Sequence, residues 1–82
     1  GAAVPVTVAT DLEDAEMITL FVEKHPYPLI AAWEIHESTI PEFSTRIRMG
    51  ETSDVTLVVK TKDGKLHTAK QQVKVTVGGC GG

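Results

Sequence analysis

The chain has a single cysteine. An internal disulfide is therefore impossible, and a zinc site built from several thiolates is excluded. Aromatic residues are scarce: two Phe, one Tyr and one Trp in 82 residues, so any core must be mainly aliphatic. There is no basic excess. Eight Lys and Arg stand against 11 Asp and Glu, for a net charge of -3, which argues against a nucleic-acid binder. No apolar run approaches the roughly 18 residues of a membrane helix. No glycine cluster precedes a helix as a phosphate loop would. Ser38, Ser44 and Ser53 lack a nucleophile-elbow context. His25, His36 and His67 form no pair at metal-ligand spacing, and the acids between Asp11 and Glu16 lack the calcium-loop pattern and its central glycine. The residues therefore offer no catalytic set and no metal site, and a non-enzymatic role is expected. A targeting leader is absent from these residues, which is compatible with its removal.

What the chain does have is two-residue alternation. Val4, Val6 and Val8 alternate with Pro5 and Thr7. Met17 to Val22 is apolar on both faces, the mark of a central strand. Ala31, Trp33 and Ile35 share one face of a strand over Ile30–Ile35. Phe43, Thr45, Ile47 and Met49 oppose Ser44, Arg46 and Arg48. Val55, Leu57 and Val59 alternate with Thr56 and Lys60, and a last run holds Val73, Val75 and Val77. Six evenly spaced strands predict an all-β, antiparallel sandwich. Pro5 has no backbone donor, which places the first strand at an edge or puts Pro5 at a strand start. Thr10 to Glu16 is short enough for one solvated turn, with Thr10 and Glu13 in capping-box spacing. His25-Pro26-Tyr27-Pro28 is a loop, because each proline restricts itself and the residue before it.

The turn at Asp63-Gly64 can be resolved to its register. A two-residue loop sets Val59 opposite Thr68 and Leu57 opposite Lys70. A three-residue loop, Lys62-Asp63-Gly64, sets Val59 opposite His67, Leu57 opposite Ala69 and Val55 opposite Gln71. One-residue slips invert faces, and the second register gives the cleaner buried face. It calls for a type I turn with Gly64 in the left-handed position of a bulge. Lys60, Lys62, Lys70 and Lys74 then share the outer face. They serve either as a solvated guard against aggregation or as a docking patch for an acidic partner.

The remaining signal is the tail. Four of the seven glycines lie in the last five residues, as Gly78-Gly79-Cys80-Gly81-Gly82. This divides the chain into a β-sandwich domain over residues 1–77 and a flexible arm over 78–82. Five residues reach about 17 Å when fully extended. No Lys, His or Arg lies in the last eight residues. The Cys80 thiol is therefore expected to keep a pKa near the ordinary value of about 8.5, with a few per cent thiolate at neutral pH. Such a thiol suits presentation to the active sites of other proteins. The composition alone equally allows a conjugation tag, an intermolecular disulfide or an end without a role.

The tail at the C-terminus of an all-β domain resembles SoxY, the sulfur-carrier family of the bacterial Sox thiosulfate-oxidising system. Ser44-Thr45-Arg46-Ile47-Arg48-Met49-Gly50, leading into Ser53-Asp54-Val55-Thr56, is similar to the family pattern. So are Val4-Pro5-Val6-Thr7-Val8 and Ile18-Thr19-Leu20-Phe21-Val22. The resemblance implies an immunoglobulin-like sandwich in the periplasm, paired with a SoxZ-like subunit. It implies covalent sulfur attachment at Cys80, with Gly78, Gly79, Gly81 and Gly82 as the arm. A SoxXA-type haem cytochrome would conjugate thiosulfate to the cysteine, and a SoxB-type manganese hydrolase would remove sulfate. In some organisms a sulfane dehydrogenase oxidises what remains. None of these cofactors would belong to this chain, whose only adduct would be the sulfur on Cys80. No nucleic-acid or membrane partner is implied, and disulfide-linked forms through Cys80 are conceivable. Family members carry N-terminal strand material ahead of the segment matching Val4. Six strands are also one short of the simplest immunoglobulin-like count. The expectation is a processed or nicked fragment, or a first strand that is separate.

A second class ends in the same way. A ubiquitin-like sulfur carrier would use the Gly81-Gly82 carboxylate as a thiocarboxylate. Its β-grasp fold needs a real helix after the first hairpin, for which Thr10 to Glu16 is too short, and Pro26 with Pro28 interrupts the next segment. A third class is a plain interaction domain with a disulfide-forming tail.

Overall fold

The computed structural model describes residues 2–37 and 41–75. Six strands follow in chain order: β1 (Ala2–Ala9), β2 (Ala15–Val22), β3 (Leu29–Glu34), β4 (Glu42–Met49), β5 (Ser53–Thr61) and β6 (Leu66–Val73). β1 and β4 form a two-stranded antiparallel sheet. The other four form an antiparallel sheet in the order β3-β2-β5-β6. The expected central strand is β2, flanked on both sides and apolar on both faces. Pro5 lies in β1, which among the described residues pairs with β4 alone, an edge position that suits a residue without an N–H.

Alternation is what joins the two sheets. Ile18, Leu20 and Val22 of β2 and Val55 and Val59 of β5 point inward from one sheet. Val8, Ile47 and Met49 point inward from the other. Ile18 is fully buried and Leu20 and Ile47 nearly so. Each such side chain contributes roughly 1.5–3 kcal/mol relative to exposure. On one flank, Trp33 of β3 stacks on Phe43 of β4 at a centroid distance of 5.2 Å and an interplanar angle of 9°. That stack bridges the sheets. On the opposite flank, β1 and β6 bound an open groove floored by Leu20, Val55 and Leu57.

The three-residue hairpin loop is present. Val59 pairs with His67, Leu57 with Ala69 and Val55 with Gln71. The Gly64 N–H donates to the Thr61 carbonyl at 2.9 Å, closing a turn, and the Thr61 N–H donates to the Lys65 carbonyl at 3.0 Å. Gly64 has φ of 84°, a left-handed conformation that costs glycine nothing. The reason offered for the register holds only for β5. Among the described residues the core-facing side of β6 stays exposed from His67 to Gln71, because β1 and β4 do not extend over it.

The sixth strand also differs from the expected run of Val73, Val75 and Val77. It is the segment that pairs with β5, Leu66 to Val73, because the turn fixes where pairing starts. Val75 lies beyond it, packs against the core and donates its N–H to the Thr52 hydroxyl at 2.9 Å. Val77 lies outside the described residues.

Candidate functional site

Cys80 and the glycines at 78, 79, 81 and 82 lie outside the described residues, as does the boundary expected after Val77. The structure instead fixes the platform that leads to them. β6 carries the chain along the side of β5 as far as Val73. The Val75–Thr52 bond then pins it beside the connection between β4 and β5. The loop between β2 and β3 shares this end of the sandwich. It is held there by the Glu23 N–H on the Asp54 carbonyl (3.1 Å) and the Lys24 N–H on the Ser53 hydroxyl (2.9 Å).

Ser53 is the polar residue that organises this end. Its hydroxyl is buried, accepts from Lys24 and donates to the Asp54 carbonyl at 3.1 Å. Its partners satisfy it, so it is a structural group and offers no free nucleophile. Above it, the Tyr27 N–H donates to His25 Nδ1 at 3.0 Å, which orients the imidazole within the Pro-rich loop. The Tyr27 ring stands 77% exposed.

The histidines are divided between the two ends. His25 is at the end where the described chain stops. His36 follows β3 at the opposite end, where Ile35 bonds back to Glu16, and His67 pairs with Val59 near the hairpin turn. No cluster of three His, Cys, Asp or Glu forms a metal-binding group among the described residues. The groove lined by Thr10, Asp11, Glu13, His36 and Glu37 has a volume of about 410 Å³ and joins charged side chains without gathering a catalytic set.

The hairpin tip holds a carboxyl whose titration is displaced, that of Asp63. Thr61, buried at the end of β5, donates its hydroxyl to Asp63, and the Lys65 N–H donates to the same carboxylate oxygen at 3.1 Å. These bonds, that from Thr61 first, hold the Asp63 carboxyl below its ordinary value of 3.8. Of the four lysines expected on one face, Lys60 and Lys70 share the outer face of the sheet by register. Lys62 is in the turn and Lys74 follows β6. Sequence reasoning gave the hairpin tip its backbone but missed the buried Thr61 hydroxyl. The Thr-x-Asp spacing before Gly64 was the available signal.

No curated protein sequence matches the chain. Among solved structures, the chain is similar to the sulfur carrier protein SoxY from Chlorobium limicola f thiosulfatophilum. The two are 40% identical, with a TM-score of 0.84 over 94% of this chain and 69% of that one. The all-β, two-sheet arrangement agrees with that structure, and an immunoglobulin-like sandwich fits it. The family model for the sulfur oxidation protein SoxY matches residues 1–80, a span that runs from β1 to Cys80 itself. By that match and that structure together, the chain belongs to the SoxY family.

Proposed function

We propose that this chain is a sulfur carrier in sulfur oxidation, holding its cargo covalently on Cys80. The observation that carries the reading is the family match, which reaches Cys80. The carrier acts in two balanced steps. In the first, the thiol and thiosulfate join through a new S–S bond, releasing one proton and two electrons to a haem cytochrome. In the second, water attacks the terminal sulfonate sulfur. Sulfate departs with the water oxygen, two protons are released, and a persulfide anion remains on Cys80. Neither step asks this chain for a base or a metal. The chain's own contribution is position. The Val75–Thr52 bond sets the root of the arm, and covalent geometry keeps Cys80 within about 17 Å of Val75. A SoxZ-like subunit is its partner, and the periplasm is its compartment. The separate enzymes are a SoxXA-type cytochrome, a SoxB-type hydrolase and, where present, a sulfane dehydrogenase.

The test is incubation with thiosulfate and the haem cytochrome, followed by mass mapping. The carrier reading expects an adduct on Cys80 that is absent in Cys80→Ser. Modification of the Gly82 carboxylate would instead establish the thiocarboxylate chemistry of the ubiquitin-like class. A disulfide dimer as the sole product would reduce the chain to an interaction domain.

A further inference from the structure

Four aspartates occur in the chain, and Asp63 alone is followed by glycine. Asp11, Asp14 and Asp54 precede Leu12, Ala15 and Val55, whose side chains crowd the following peptide nitrogen. Gly64 offers no such obstacle. An Asp-Gly step has a chemistry of its own. From the neutral carboxylic acid, the Gly64 nitrogen attacks Asp63 Cγ. An N–C bond forms, the C–OH bond breaks, and water leaves, made of that hydroxyl and the nitrogen's proton. The product is a cyclic succinimide. Water then opens the ring at either carbonyl. One opening restores aspartate. The other yields isoaspartate, in which the main chain runs through Cβ and gains an atom. Nothing is oxidised or reduced, and water is the only co-reactant. Asp63 is exposed, so water reaches it freely.

In the folded tip each reacting group is engaged elsewhere. The Gly64 N–H donates to the Thr61 carbonyl at 2.9 Å. Asp63 Oδ1 accepts from the Thr61 hydroxyl and, at 3.1 Å, from the Lys65 N–H. Asp63 Oδ2 stands 4.0 Å from the Lys65 ammonium. For the carboxyl to turn toward the Gly64 nitrogen, both bonds to Oδ1 must break. Cyclisation also needs the neutral acid, and those same donors favour the charged form. Thr61 is 1% exposed, so its hydroxyl is a fixed donor rather than a mobile surface group. Every group in this set lies between Thr61 and Lys65, and the arrangement is complete within one hairpin.

We propose that the hairpin tip is a guarded modification site, in which Asp63 converts to isoaspartate when the turn opens and the Thr61 hydroxyl is the positioning group that prevents conversion while it is closed. Opening releases the carboxyl and the Gly64 nitrogen together, so the extent of conversion records how often the turn opens. The change sustains itself. The added main-chain atom shifts Gly64 away from the Thr61 carbonyl, and the free carboxylate moves to the α-carbon, away from Thr61 and the Lys65 N–H. β5 runs from Ser53 to Thr61, so the tip lies at the opposite end of that strand from the Val75–Thr52 bond. Isomerisation therefore loosens the hairpin and leaves the root of the arm in place.

The test is prolonged incubation of the full-length protein at neutral pH, below its unfolding temperature. Isoaspartate is counted by methyl transfer from S-adenosylmethionine with an isoaspartyl methyltransferase and placed by peptide mass mapping. A free peptide spanning Thr61 to Leu66 is the reference. The folded protein should convert at least about tenfold more slowly than the peptide, the scale of one bond to a charged group. Thr61→Val, with its fold verified by circular dichroism, should convert about tenfold faster than the parent. Thr61→Ser, which keeps the hydroxyl, should stay slow. Trp33→Leu weakens a distant flank and should leave the rate unchanged while the protein remains folded. The parent-to-peptide ratio needs no variant at all. Conversion of the parent at the peptide's rate overturns the proposal, as does a Thr61→Val rate equal to the parent's. So does a Trp33→Leu rate as high as that of Thr61→Val, because protection would then belong to the fold as a whole. Isoaspartate mapped first to Asp11, Asp14 or Asp54 overturns it too.

Discussion

The stack of Trp33 on Phe43 is the contact that should respond most clearly to a designed perturbation. It joins β3 of one sheet to β4 of the other, and both residues are half-buried. Phe43→Leu removes the ring and keeps aliphatic bulk, so the change should cost about 1–2 kcal/mol. Trp33→Leu should cost about as much or slightly more, because more surface is lost. The informative quantity is how the two combine. Stacked rings contribute about 0.5–1.5 kcal/mol beyond their buried area. Once Trp33 is leucine that term is gone, so the double variant should be more stable than the sum of the singles implies by about 1 kcal/mol. In a domain of this size each kcal/mol moves Tm by about 4–8 °C. Urea unfolding of the four proteins, followed by far-UV circular dichroism because Trp33 is the only tryptophan, gives the cycle directly. A coupling no larger than about 0.3–0.5 kcal/mol lies within ordinary additivity and would refute the idea that the ring pair fastens this flank.

Other outcomes follow from the same geometry. Leu20→Ala, at a side chain 1% exposed, should cost about 2–5 kcal/mol, a large share of a stability near about 0.05–0.15 kcal/mol per residue. Thermal unfolding reads it, and a shift of only a few degrees would mean the site collapses to fill the space. At Gly64 an added Cβ meets no atom within 4 Å, so Gly64→Ala should lose only the backbone term at φ of 84°, about 1–2 kcal/mol. An unchanged denaturation midpoint would contradict the left-handed turn. Because the folded-state pKa of Asp63 is lowered, its stabilising contribution is complete above the unfolded value near 3.8 and disappears as pH falls through the lower folded value. Asp63→Asn should therefore be less stable than the parent at pH 7, with the difference narrowing toward pH 3. A difference that stays constant across that range would refute the assignment.

The parts of the fold that were legible in the sequence are those where one residue type has one physical use. Alternating valines and isoleucines located β1, β2, β4 and β5, and Pro5 marked an edge. Comparing the faces that each loop length pairs selected the three-residue register, and Gly64 takes the left-handed position that this register calls for. The width of each sheet was not legible. Nothing in Leu66 to Gln72 says whether another strand lies across from it, so an alternating pattern looked like a buried face when that face is open. The end of β6 was misplaced for a related reason. Val73 and Val75 both pack against the core, but only the first is in the ladder. The tail was legible only as a candidate, a lone thiol among glycines for which composition left other uses open, and it lies outside the described residues. Its platform was not, since it depends on hydrogen bonds from Val75 to Thr52 and from Lys24 to Ser53 that span distant parts of the chain.

The strand order has a consequence for the speed of assembly. β2 with β3 and β5 with β6 are neighbours in sequence, and each closes over a short connection. The β1–β4 ladder is different, since even its nearest pair joins Ala9 to Glu42 across β2 and β3. Closing a longer loop costs more chain entropy before any contact returns it. The two hairpins should therefore be structured in the folding transition state while β1 docks late. Substitutions in β1 should then mainly accelerate unfolding, and those in β5 should mainly slow folding.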